Sequence, residues 1–275
     1  MNRLSKEDRI RVVAALVEGC PIRSTVRMTG VAKNTVAKLL VELGAACASY
    51  QDQAFRGLNC KLIQCDEIWS FVGAKQKNVK PEHFEDGGFA GDVWTWTAID
   101  ADTKLVPCWM IGSRDAQAAN AFIGDLASRL ATRVQLTTDG HKPYLRAVEG
   151  AFGCDVDYAM LIKIYGNSVE GEKRYSPAQC IGCESKAVMG NPVTKHVSTS
   201  YVERQNLTMR MSMRRFTRLT NAFSRKVENH AAAIALHFMY YNFVRIHQTL
   251  RVTPAMAAGI TTKLWDIKDI VELLD

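Results

Sequence analysis

The order of hydrophobic patterns predicts an α/β protein: a mixed sheet flanked by helices, preceded by an all-helical N-terminal domain. Three strand patterns rich in Val, Ile, Trp and Thr follow one another at 61–72, 93–100 and 104–111, and strands then alternate with helices. Before them, residues 4–43 carry helical periodicity broken by turn signals. With 275 residues, 47% of them apolar and 23% charged, the chain can bury a large core and has no disordered bias.

The helical part reads as three short helices. Ser5 caps the first, with Asp8 as the capping acid three residues on, and Ile10, Val13, Ala14, Leu16 and Val17 form its apolar stripe. Gly19-Cys-Pro21 ends it, because proline cannot continue a hydrogen-bonded turn. A second helix over 22–28, a tight turn at 29–31 and a third helix over 32–43 follow, with Val36, Leu39, Leu40 and Leu43 facing inward. This is the order of a helix-turn-helix, although a generic three-helix bundle has the same pattern. In the first case Asn34 and Thr35 reach base edges, while Lys33 and Lys38 meet phosphates. The domain covers 1–48, and 49–60 is a linker with partial helical character.

Asp100-Ala-Asp-Thr103 is the expected hairpin between the second and third strands. A helix over 116–130, a strand over 133–138, a helix over 142–152 and a strand over 154–160 continue the order. Residues 163–199 lack periodicity and exceed an ordinary connection, which marks an insertion in a domain spanning 61–250. Helices at 202–213 and 226–244 follow. The tail, 251–275, holds a short helix opened by Pro254 and an acidic end that packs back on the chain or on a second subunit.

The net charge of +7 favours an anionic partner. The bias is concentrated: between Arg204 and Arg251 nine Arg or Lys residues face one acid, Glu228, a local balance of +8. Such a face releases counterions from a nucleic-acid backbone. Lys75, Lys77 and Lys80 form a second basic segment, at DNA or merely in solvent. No apolar segment is long enough to span a membrane, and the eight cysteines, several in apolar runs, read as reduced thiols of a cytoplasmic protein. Cys180-Ile-Gly-Cys183 has metal-ligand spacing, but only His196 is near enough in sequence to add a ligand, so structural zinc is not expected.

Against this basic background three acids stand out. Asp66 lies in the apolar run 61–72, and Glu67 should point to the opposite face by the two-residue repeat. Asp139 ends the strand over 133–138, and Glu203 opens a helix. If the two strands are neighbours, Asp66 and Asp139 can share a divalent ion, and Glu203 can complete a second site with Asp66. Oxygen ligands select Mg2+ or Mn2+ over zinc. Spacing alone leaves open that the three never meet.

The local sequences add a family resemblance. Asp66-Glu-Ile-Trp-Ser-Phe-Val-Gly-Ala-Lys75, Thr138-Asp-Gly-His-Lys-Pro-Tyr144 and Val202-Glu-Arg-Gln-Asn-Leu207 resemble the three blocks of IS1-type DDE transposases. The likeness continues through Arg214-Arg-Phe-Thr-Arg-Leu-Thr-Asn-Ala-Phe-Ser224 and Tyr240-Tyr-Asn242, covering most of 60–250. It implies a ribonuclease H-like fold and an Asp66, Asp139, Glu203 triad that binds two Mg2+ or Mn2+ ions. The implied activity is cleavage at insertion-sequence ends and strand transfer into target DNA. Double-stranded DNA and a homodimer or larger assembly are the implied partners, with the protein associated with the nucleoid when bound. Arg210 stands where related enzymes carry a basic residue two turns after the glutamate. Asn206 and Arg210 should project toward DNA, with Arg214 and Arg215 in the basic stretch beyond. The family's better-known N-terminal zinc ribbon has no counterpart before residue 60. A nuclease without strand transfer, or a non-catalytic DNA-binding regulator derived from a transposase, would share these residues.

Overall fold

A computed structural model describes residues 4–84, 89–166, 180–217 and 221–275. Among the described residues six strands form one sheet: β1 (Leu62–Val72), β2 (Gly91–Asp100), β3 (Cys108–Gly112), β4 (Val134–Thr138), β5 (Val156–Tyr165) and β6 (Cys180–Met189), in spatial order β3-β2-β1-β4-β5-β6. β1, β2 and β3 pair antiparallel, β4 and β5 join in parallel, and β6 closes the far edge antiparallel to β5. This is a mixed sheet flanked by helices, as the element order predicts.

Alternation along β1 divides its side chains between two layers. Ile63 and Cys65 share a cluster with Trp96 of β2, Phe122 and Leu126 of α4 (Ala116–Arg129), and Tyr144 and Val148 of α5 (Pro143–Phe152). Ile68 packs instead with Val202 and Met209 of α6 (Ser200–Ser212) and Ile234 and Phe238 of α7 (Val227–Phe243). The buried His230, on α7, bridges Ser70 of β1 at 3.0 Å and Ser224 at 3.2 Å, and burial pushes its imidazole down to about 3, so it is neutral there.

The N-terminal helices are α1 (Lys6–Val17), α2 (Ile22–Thr29) and α3 (Lys33–Ala54). Ser5 caps α1 by accepting the Asp8 N–H, and Gly30 ends α2 at φ 74°, a left-handed backbone that glycine adopts without a Cβ clash. The expected linker at 49–60 is helix as far as Ala54. The buried stripe of α3 continues through Cys47 and Gln51, whose amide donates to Ala235 O at 3.3 Å and whose Oε1 accepts from Asn242 at 3.3 Å. Gly44 makes this crossing close: a Cβ there would lie 2.4 Å from Cα of Ala232. α3 thus packs on α7, and its core residues belong to the same cluster as the sheet's.

Two further differences have local causes. The third strand begins at Cys108, not at 104, because Lys104 takes a left-handed φ of 60° and the backbone of Val106 pairs with the Asn242 side chain in both directions, at 3.0 and 3.1 Å. The expected insertion 163–199 contains the end of β5 and all of β6. Most of β6 is exposed on both faces, so its sequence carries no alternation; residues 167–179 lie outside the described residues. The tail forms α8 (Pro254–Ala257) and α9 (Ile267–Glu272), and it packs back on α1: Lys6 pairs with Glu272 and Arg9 with Asp275.

Candidate metal centre

The parallel pairing of β1 and β4 runs from Leu62 opposite Gln135 to Cys65 opposite Thr138. The next residues are Asp66 and Asp139, so the ladder itself sets these carboxylates side by side where β4 ends. Asp139 Oδ1 accepts the His141 N–H at 3.0 Å, which turns the chain toward α5.

Asp66 and Glu67 leave β1 on opposite faces and meet Asp139 at the sheet's rim. On the α6 side, Asp66 Oδ2 accepts from Asn206 Nδ2 at 2.8 Å, while Oδ1 accepts the Glu67 N–H at 2.9 Å. On the α5 side, Glu67 is buried and neither of its carboxylate oxygens has a hydrogen-bond partner. One oxygen from each of Asp66, Glu67 and Asp139 lies within 4.8 Å of the others. Oxygen ligands bind divalent cations at about 2.0–2.6 Å, so opposite ligands stand about 4–5 Å apart and the cluster fits one ion. The Glu67 oxygens and the buried Oδ1 of Asn206, none of which accepts a hydrogen bond, support the fit.

Electrostatics point the same way. Burial, then the charge of Asp139, pushes Asp66 up to about 7 against the donated Glu67 N–H, with Glu203 adding to the rise. Burial and the charges of Asp139 and Asp66 push Glu67 up to about 8, against the pull of Arg114. Carboxylates crowded in this way hold protons near neutrality, and a cation would take the protons' place. His141, with Nε2 3.8 Å from Glu67 Oε1, is lowered by burial and by Arg114.

Glu203 stands in the first turn of α6, as expected, but outside this three-acid cluster. Its Oε1 is 2.5 Å from Nζ of Lys163 on β5 and accepts from the Thr199 hydroxyl. The helix is anchored to β1 by Gln64, whose Oε1 accepts the N–H groups of Tyr201 at 2.8 Å and Val202 at 3.2 Å. Gln64 thereby replaces the cap that Thr199 does not supply. On the other face, Arg114 Nη2 is 3.5 Å from Glu67 Oε2 and 3.6 Å from Asp139 Oδ2, with its guanidinium 4.8 Å from the Trp94 ring centre. Glu67, Gln64, Arg114 and Lys163 are absent from the sequence-derived site. Gln64 left a readable signal, a polar residue two positions before Asp66 on the same buried face.

The expected DNA contacts divide. Lys33, Asn34, Thr35 and Lys38 are all exposed on the first turns of α3, with Lys38 3.6 Å from Glu42. Lys77 is exposed, and Lys75 lies over the rings of Trp69 and Phe71 at 5.8 and 5.7 Å. Arg210 and Arg214 are exposed. Asn206 is buried on Asp66, so it faces the acids and not the surface. Arg215 also turns inward, donating to Ser224 Oγ at 2.7 Å and Asn229 O at 2.9 Å, because it ties the segment after α6 to the start of α7. The Cys180 and Cys183 sulfurs are 4.0 Å apart, and among the described residues no third metal ligand joins them. Among the described residues no helix is long and apolar enough to cross a membrane.

A scan against models of known protein families finds no match, and a search of curated proteins finds none either.

Proposed function

We propose that this chain is a DNA transposase of the DDE type, which cleaves at the ends of an insertion sequence and transfers the freed strand to target DNA. The observation that carries the reading is the β1–β4 register, which places Asp66 beside Asp139 at a strand end, with Glu203 on α6 near enough for its charge to act on Asp66. The mixed sheet flanked by helices supports the ribonuclease H-like fold that the sequence resemblance implies. Exposed Lys33, Asn34, Thr35 and Lys38 on α3 support a helix-turn-helix that recognises element ends.

Asp66, Asp139 and Glu203, with Glu67 beside them, would hold Mg2+ or Mn2+, two ions in the full reaction. Such ions activate the attacking oxygen and stabilise the leaving one in phosphoryl displacement. The chain's own part is positional. The ladder holds Asp66 and Asp139 at constant separation, Asn206 orients the Asp66 carboxylate, and Arg210 and Arg214 lie at the surface near the end of α6, where a phosphate backbone would run. Attack by water would free a 3′ hydroxyl, and attack by that hydroxyl on a target phosphodiester would join the strands without a covalent enzyme intermediate. Two element ends must be held together, so the active form is a homodimer or larger assembly working on nucleoid DNA.

The test uses purified protein, Mg2+ and labelled duplexes carrying the DNA that flanks the gene. Cleavage and joined products are expected from the native chain; Asp66→Asn should bind ends but form no joined product. Normal joining by Asp66→Asn refutes the reading, and cleavage without joining by the native chain makes it a nuclease.

A further inference from the structure

The acids at the sheet rim are balanced by two basic side chains, one from each face, and the one on the α6 side occupies ground that the proposed reaction needs. Lys163 comes from β5, directly opposite Cys183 of β6, and its ammonium sits 2.5 Å from Glu203 Oε1. It is also close enough to Asp66 to favour that group's ionised form. An ammonium against Glu203 and a divalent ion shared by Glu203 and Asp66 compete for the same oxygens. The side chain is 28% exposed and flexible, so it can leave without moving the strand.

We infer that Lys163 is an exchangeable counter-cation: it holds Glu203 while the site lacks metal, and it passes to a DNA phosphate when a divalent ion takes Glu203. This rests on reading the acids as a metal-dependent DNA site. It makes Lys163 a DNA-binding residue only in the metal-loaded protein. Arg114 is held by more contacts, lying over the Trp94 ring and shared between Glu67 and Asp139.

Removing the Lys163 charge should therefore act in opposite directions on two ligands. In calorimetric titration of the full chain with Mn2+, Lys163→Met should bind at least about fivefold more tightly than the native chain, and Lys163→Arg should stay near it. Lys186→Met, an exposed charge on β6, sets the background effect of losing one surface lysine. In binding to a duplex of about 30 base pairs, Lys163→Met should match the native chain in EDTA. In Ca2+ it should bind more weakly, with the log–log salt slope reduced by about 1. A Mn2+ affinity for Lys163→Met no tighter than that of Lys186→Met, or equal loss of DNA binding in EDTA and Ca2+, overturns the inference while leaving the transposase reading intact. Absence of Mn2+ binding by both the native chain and Lys163→Met overturns the metal site and the inference with it.

Discussion

Replacing Asp66 with Asn should stabilise the metal-free protein at alkaline pH. Asp66 is pushed from an ordinary 3.8 up to about 7. The folded chain therefore holds this proton at pH values where the unfolded chain has released it. The stability Asp66 contributes is whole below about pH 4 and declines as pH rises from there to about 7, above which the loss is complete. At 1.36 kcal/mol per pH unit, the three-unit displacement sets a ceiling of about 4 kcal/mol, and protons shared among the neighbouring acids bring the expectation to about 2–4 kcal/mol. Asparagine can keep both hydrogen bonds. Its Oδ1 still accepts the Glu67 N–H, and Asn206 need only turn its amide so that the unpartnered Oδ1 accepts from the new side chain. In EDTA, Asp66→Asn should melt about 4–8 °C above the native chain at pH 8.5, the gap closing toward pH 4. Excess Mn2+ should stabilise the native chain and leave the variant unmoved. Parallel pH profiles for the two proteins, or a less stable variant at pH 8.5, would refute the argument that crowding and burial dominate this site.

Glu67→Gln removes one of the three clustered carboxylates and should weaken Mn2+ binding about tenfold or more in calorimetry; an unchanged affinity would remove Glu67 from the site. Gly44→Ala should destabilise by about 2–4 kcal/mol in urea unfolding, although alanine favours a free helix by about 1 kcal/mol, because the added methyl meets Ala232 Cα at 2.4 Å and forces α3 off α7.

How far the site could be read from the chain depended on whether backbone or side chain builds it. The strand settings of Asp66 and Asp139 were legible, because Thr-Thr-Asp-Gly marks a strand exit and the run about Asp66 marks a buried strand; spacing left their meeting open, and only the family resemblance joined them. The face on which Glu67 lies was legible for the same reason. Its proximity to Asp139 was not, because it depends on two side chains reaching round a strand end. Lys163 was hidden by an early strand ending. β5 runs to Tyr165, five residues beyond the expected end at 160, and the alternation Ala159, Leu161, Lys163 would have placed the lysine on the face of Asp66. The length of α3 was obscured by Gly44, which reads as a helix end and serves as a crossing point.

The two faces of the site are held by different means, and this bears on how it would assemble. Asp66 stands on β1 and Asp139 directly after β4, side by side in a parallel ladder, and Glu67 is buried on the α5 side with His141 Nε2 at 3.8 Å, so the backbone of all three is fixed by the sheet. Glu203 has a different support. The helix that bears it is pinned to β1 by Gln64, by the Asn206–Asp66 hydrogen bond and by the packing of Val202 and Met209 on Ile68, so its backbone is fixed relative to Asp66. Its carboxylate, however, is held by Thr199 and Lys163, contacts made by side chains alone. A rigid pair of acids facing a third whose partners can be exchanged is the arrangement in which one ion position is formed in advance and another is completed as ligands arrive. On that reasoning the Asp66, Glu67 and Asp139 cluster would bind metal first, and occupation on the Glu203 side would follow the release of Lys163.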